Sequence, residues 1–121
     1  MVLVDTSVWV KHLRKGDPGL ATLLNNGEVL CHPFIIGEIA CGTLKNRDAI
    51  LSLLQALPSV TQADHEEVME FIENCSLMGK GLGYIDIHLL ASARLTNVLL
   101  WTLDHALNEV SSNLRMDFSA E

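Results

Sequence analysis

The sequence predicts an α/β fold, a three-layer α/β/α sandwich around a mainly parallel sheet, and three observations carry that expectation. Short apolar runs, rich in β-branched residues and of the length of buried strands, occur at residues 1–4, 28–32 and 98–103. Between them lie segments whose apolar residues recur every three or four positions, the period of a helix packed on one face. Strands separated by helices need crossover connections, so the strands run parallel and are covered on both faces. A chain of 121 residues holds one such domain, expected to span 1–121. Its 49% hydrophobic content is high for a small protein and leaves apolar surface for a second copy, so a homodimer is expected.

The elements follow in order. The first strand stops at Asp5, and Thr6 or Ser7 is the expected cap of a helix over 8–15. Lys11, Arg14 and Lys15 lie near its C-terminal end, where the helix dipole favours cations. Gly16 ends it, Pro18 opens a second short helix, and Asn25-Asn26-Gly27 is a turn signal before the second strand. Pro33 suits the first position of an apolar helix over 34–44, in which Glu38 is expected on the buried stripe. A helix over 47–57 stops at Pro58, and 59–63 reads as a third, short strand. Asp64 with Glu67 forms a capping-box pattern for a helix reaching about 78, followed by a glycine loop over 79–83. Another helix covers 84–96, Asn97 turns the chain into the strand over 98–103, and a last helix covers 105–114. The polar tail beyond Arg115 carries no pattern.

Composition narrows the setting. The first apolar run has no basic leader and is cut by Asp5, and no stretch approaches the roughly 20 apolar residues of a membrane span, so a cytoplasmic protein without membrane association is expected. Cys31, Cys41 and Cys75 are odd in number, sit in apolar surroundings and read as buried, reduced thiols. The net charge of -7 speaks at first against nucleic acid, whose phosphates call for a basic surface, unless the acids are gathered around cations instead of spread over the surface.

Four carboxylates fit that exception by their setting. Asp5 and Asp104 close buried strands, and Glu38 and Asp86 lie in the first turns of helices on faces expected to pack inward. In an open α/β sheet the crevice beyond the carboxyl ends of the strands is where ligands bind. Grouped carboxylates repel unless a cation joins them, and an all-oxygen set suits Mg²⁺ or Mn²⁺, which can activate water for attack at phosphorus. Each residue also has an ordinary reading, Asp5 and Asp104 as helix caps and Glu38 and Asp86 as acids favoured by a helix dipole, and none is specific alone. His12, His32, His65, His88 and His105 lack paired ligand spacing, and Gly79-Lys80-Gly81-Leu82-Gly83 lacks the preceding strand and the Lys-Ser/Thr ending of a phosphate loop.

Taken together, Val2-Leu3-Val4-Asp5-Thr6-Ser7-Val8-Trp9, Gly37-Glu38-Ile39 with Gly42, the run from Gly83 to Ala93 containing Tyr84-Ile85-Asp86-Ile87-His88, and Leu100-Trp101-Thr102-Leu103-Asp104 resemble a PIN-domain ribonuclease of the VapC toxin type across nearly the whole chain. The resemblance implies a metal-dependent endoribonuclease, usually dimeric and held inactive by a VapB-type antitoxin protein. It implies that Asp5, Glu38, Asp86 and Asp104 form the acidic, metal-holding cluster, with the Thr6 and Thr102 hydroxyls as supporting groups. One departure is His105, where many relatives carry another polar or charged residue beside or soon after the last acid.

The substrate expected on these grounds is RNA, cut at a single-stranded loop of a folded molecule such as a tRNA or ribosomal RNA. Metals and carboxylates act on a backbone common to every nucleotide, so selectivity must come from the rim, where Lys11, Arg14, Lys15, Lys45, Arg47 and Lys80 are the available cations. Two alternatives stand beside this. A Mg²⁺-dependent phosphoacceptor signalling domain has similar size but needs a lysine closing a late strand, where Asp104 stands here. An inactive nuclease-like binding module would be attractive if one acid were missing, and none is.

Overall fold

The computed structural model describes residues 1–119. Its strands are β1 (Val2–Val4), β2 (Val29–Leu30) and β3 (Leu99–Trp101), which form a parallel sheet in the order β2-β1-β3. Val2 faces Val29 on one side and Leu99 on the other, and Val4 faces Trp101. The first run is the central strand because only it is apolar throughout, and Leu3 and Val4 are fully buried.

The helices are α1 (Thr6–Lys15), α2 (Pro18–Asn25), α3 (Pro33–Ala40), α4 (Arg47–Ala56), α5 (His65–Cys75), α6 (Tyr84–Thr96) and α7 (His105–Asn113). From β1 the chain crosses to β2 by way of α1 and α2, and from β2 it crosses back past β1 to β3. Because Ser59 bridges Cys31 outside β2, α3 and α4 continue in the direction of α1 and α2 and share their face, where α1, α3 and α4 line one groove, while α5 and α6 return to β3 over the other face. Helix α6 is buried on all sides from Ile87 to Ala93, which explains why its apolar residues are not confined to a stripe.

Several expectations are corrected. The N-cap of α1 is Asp5 rather than Thr6 or Ser7, and its carboxylate makes no cap bond to the helix backbone but is held by side-chain hydroxyls instead. Helix α3 stops at Ala40 rather than at 44, with Cys41 as its C-cap and the Arg47 guanidinium donating to the Ala40 carbonyl at 2.9 Å; Cys41 is exposed, against the expectation of a buried thiol, while Cys31 is buried and Cys75 half-buried. Residues 59–63 are no strand. They make one bridge, Ser59 to Cys31, and the next backbone N–H groups turn to side chains of α6, Thr61 to Thr96 Oγ1 at 2.9 Å and Ala63 to Ser92 Oγ at 3.0 Å. The tail is not idle, because Leu100 bridges Asp117 and the Trp101 and Phe118 rings lie 5.3 Å apart. The capping box of α5 forms as expected, with Glu67 N–H donating to Asp64 at 2.8 Å and Asp64 N–H to Glu67 at 3.0 Å.

One junction unremarked in the sequence is heavily bonded. Buried Asp17 caps α2 by accepting from Leu20 N–H at 3.1 Å, accepts from Lys11 Nζ at 3.2 Å, and donates its own N–H to His12 Nδ1 at 3.0 Å. Burial pushes its carboxyl pKa up, but the Leu20 N–H and the Lys11 ammonium outweigh this and hold it below the usual value. Asp17→Ala is expected to cost about 1–2 kcal/mol, the upper range for a lost cap, read as a lower urea midpoint at neutral pH. Because the folded pKa is depressed, the stability Asp17 contributes is present above its unfolded value of 3.8 and is lost as pH falls through the folded one.

Candidate active site

The carboxyl ends of β1 and β3 adjoin where the connections diverge, and Asp5 N–H donates to the Trp101 carbonyl at 2.9 Å. There the Asp5 carboxylate, 7% exposed, is held through one oxygen: Oδ2 accepts from Thr102 Oγ1 at 2.7 Å and from Ser7 Oγ at 2.8 Å. The same hydroxyls fix the turn after β3, since Leu103 N–H donates to Ser7 Oγ at 2.9 Å and Asp104 N–H to Thr102 Oγ1 at 3.1 Å. No protein group among the described residues bonds Asp5 Oδ1.

The other acids follow the same rule of one oxygen held. Asp104 caps α7, its Oδ1 accepting from Leu107 N–H at 2.9 Å, and β3 ends three residues earlier than that acid, at Trp101. Asp86, half-buried in the first turn of α6, accepts from Gly83 N–H through Oδ2 at 3.1 Å. Glu38 accepts from Thr6 Oγ1 at 2.7 Å, which ties α3 to the start of α1. Its position differs from expectation: Ile35 and Ile39 form the buried face of α3, and Glu38 stands exposed at its margin.

Asp86 feels the charge of two of the other acids. Burial raises the pKa of Asp86, and the charges of Asp5 and Asp104 raise it further against the Gly83 N–H, which favours the ionised form. Glu38 joins only through Thr6, the neighbour of Asp5. Among the described residues no three His, Cys, Asp or Glu side chains stand close enough to enclose an ion as placed. The chemistry of the donor set nevertheless suits a hard cation: every donor is a carboxylate oxygen, each carboxylate keeps one oxygen unbonded, and a positive charge would reverse the penalty on Asp86.

Beside Glu38 a groove of about 610 Å³ opens between α1, α3 and α4. On the other flank the glycine loop packs against α7, a Cβ built on Gly81 standing 3.7 Å from that of Ala106. Gly79 and Gly81 have φ of 72° and 79°, which is why this rim is made of glycine.

Compared with known proteins, residues 2–113 match the PIN domain family. The chain belongs to that family. It is also similar to Ribonuclease VapC32 of Mycobacterium tuberculosis, from strains CDC 1551 / Oshkosh and ATCC 25618 / H37Rv, with 44% identity over 108 residues in each, covering 88% of this chain and 87% of that protein. The resemblance expected from the sequence is thus borne out, and the phosphoacceptor alternative is set aside.

In this PIN domain sequence reasoning overlooked Ser7, expected only as a helix cap. Its hydroxyl instead joins Asp5, Thr102 and the Leu103 backbone. The signal available was its place on the second residue of a helix that starts from a buried acid. Tyr84, which opens α6, is 42% exposed, with its hydroxyl bonded to His65 Nδ1 and its ring against His88. The PIN domain contains no helix long and apolar enough to cross a membrane among the described residues.

Proposed function

We propose that this PIN domain, acting as a single unit over 1–121, is a cytoplasmic VapC-type endoribonuclease toxin whose catalytic and metal-holding residues are Asp5, Glu38, Asp86 and Asp104. The observation that carries the reading is the 44% identity to Ribonuclease VapC32 along nearly the whole of both chains. The network around the acids supports it. Thr102 and Ser7 hold Asp5, Thr6 holds Glu38, Gly83 N–H holds Asp86 and Leu107 N–H holds Asp104, so each carboxylate presents its other oxygen in a fixed direction. Those four side chains would hold Mg²⁺ or Mn²⁺, which when bound supplies Lewis-acid polarisation of the phosphodiester and activation of the attacking water. The chain's own part is to orient the donors and to keep Asp86 from being paired by a lysine or arginine.

The substrate proposed is structured RNA, a tRNA or ribosomal RNA, cut at one or few loop positions, with a VapB-type antitoxin as inhibitor and a homodimer as the working form. Exposed apolar side chains such as Leu53, Met78 and Leu103 support self-association, and sedimentation as a monomer at micromolar concentration would refute it. Sequencing the new 5′ ends in total cellular RNA after brief induction tests the substrate. One dominant site in a stable RNA is expected, and cuts scattered through messenger RNAs with tRNA and ribosomal RNA intact would overturn it.

A further inference from the structure

From the groove beside Glu38 we infer that Arg14 and Lys45 bind the phosphates of the RNA strand next to the cleaved bond, an inference that rests on the ribonuclease reading. The groove is lined by Glu38, by the apolar Leu13, Ile39 and Ile50, and by two cations, Arg14 from α1 and Lys45 from the turn between α3 and α4. A volume of about 610 Å³ admits a short length of strand but not a folded stem.

Ion pairing separates these two cations from Lys11 and Arg47, and their place in the groove separates them from Lys15 and Lys80, which do not line it. Lys11 is bonded to Asp17 at 3.2 Å, and Arg47 is spent on the Ala40 carbonyl at 2.9 Å with Asp48 beside it. Arg14 and Lys45 have no salt bridge or side-chain hydrogen bond among the described residues. Arg14 gains from the C-terminal end of the α1 dipole wherever its head points, but Lys45 belongs to no helix, and both line a groove that Glu38 lines as well. In a chain of net charge -7 such a pair is complementary to an anionic polymer entering from the acids.

The lining also says how the strand is held. No aromatic ring lines this groove, so bases are not stacked on a platform and the grip falls on phosphate and on apolar contact with ribose, which is tolerant of sequence. A neighbouring cleft of about 250 Å³, walled by Trp9, Leu24, Leu53 and Leu57, contains no lysine or arginine and is not part of the proposed path.

The test pairs two measurements on the same preparations of wild type, the Arg14→Gln/Lys45→Gln double variant and the charge-keeping Arg14→Lys/Lys45→Arg variant. The first is binding of a fluorescein-labelled, mixed-sequence single-stranded RNA over a range of salt, in chelator so that the probe stays intact. The Gln variant is expected to bind several-fold more weakly, and its dependence of log affinity on log salt to be shallower by about 1.4, or about 0.7 for each of two phosphates released. The charge-keeping variant is expected to retain the wild-type slope. The second is cleavage of total RNA with Mg²⁺, where the Gln variant is expected to be slow at low RNA and to recover at high RNA. Wild type that cuts no RNA defeats the ribonuclease reading. Wild type that cuts, with a Gln variant unchanged in affinity and slope, overturns the groove inference alone. So does a Gln variant that handles RNA as wild type but escapes the antitoxin, which would assign the groove to a protein.

Discussion

Asp5→Asn is expected to abolish RNA cleavage, with a loss well beyond the 10–100-fold typical of a group that only orients a metal ligand. Asp5 is the most enclosed of the four acids and the one whose position is fixed from both neighbouring elements, by Ser7 of α1 and Thr102 beyond β3. An amide keeps the shape and can still bond both hydroxyls, so the fold is expected to survive while the charge that would hold the cation is gone. Asp86→Asn is expected to be equally inactive yet more resistant to heat in metal-free buffer. The folded pKa of Asp86 is raised by burial and by Asp5 and Asp104, so the stability it contributes is present when it is protonated, below its unfolded value, and is lost as pH rises through the folded one. At neutral pH its charge is therefore a cost that the amide removes. Thr102→Val serves as the graded comparison, with a loss of about 10–100-fold. Initial rates on total RNA together with thermal melting decide all three, and wild-type cleavage undiminished in excess EDTA would falsify the metal requirement.

The second large effect is acid instability that starts well above the range of ordinary carboxylates. His32, 1% exposed, is the N-cap of α3, and its Nδ1 accepts from Phe34 N–H at 3.0 Å while Nε2 has no partner among the described residues. Burial, with the His88 imidazole a lesser cause, depresses its pKa from 6.5 to about 4. A proton on Nδ1 would face the Phe34 N–H and the positive end of α3, so the folded state needs the neutral ring. For a histidine with depressed folded pKa, the unfolded chain binds the proton first; stability is complete above pH 6.5 and falls as pH drops toward 4. The loss is on the order of 2–3 kcal/mol after some allowance for screening, out of a total of about 5–15. His88, depressed by burial and by His65, acts in the same direction, whereas Asp86 opposes it and Asp17 enters only at lower pH. Urea midpoints at pH 7 and 4.5 are expected to differ clearly in wild type and much less in His32→Asn, which keeps a cap acceptor but cannot titrate. Equal midpoints in wild type would refute it.

What was legible in the sequence was local. Val2, Leu3 and Val4 could only be a buried strand, Asp64 and Glu67 announced a cap, and four acids stood out because each interrupted or ended an apolar pattern. What was illegible depended on residues far apart meeting. Helix α3 ends at Ala40, where Arg47 reaches back to the last carbonyl, although the apolar period of the sequence continues to Leu44, and Cys41 lies outside the core. Glu38 was misplaced by a fraction of a turn, because a three- or four-residue spacing from Ile35 and Cys41 cannot tell the centre of a face from its margin. Residues 59–63 have the composition of a strand, but Ser92 and Thr96 claim their N–H groups. Arg14 and Lys45 looked like any solvated charges until α1 and the α3–α4 turn were seen to share a groove.

Both flanks of the sheet are already occupied. Beside β2, Cys31 N–H donates to the Pro58 carbonyl at 2.9 Å and Val60 N–H to Cys31 at 3.0 Å; beside β3, Leu100 N–H donates to Met116 at 2.7 Å and Phe118 N–H to Leu100 at 3.0 Å. An open strand edge is a template on which any extended peptide can add itself, in a productive complex or in an aggregate. Here a single rung on each side blocks that route, and the last of them is supplied by a tail whose own sequence gives no hint of the task. Shortening the chain before Met116 would thus uncover the strand that leads to Thr102 and Asp104, turning a well-behaved sheet into an adhesive one.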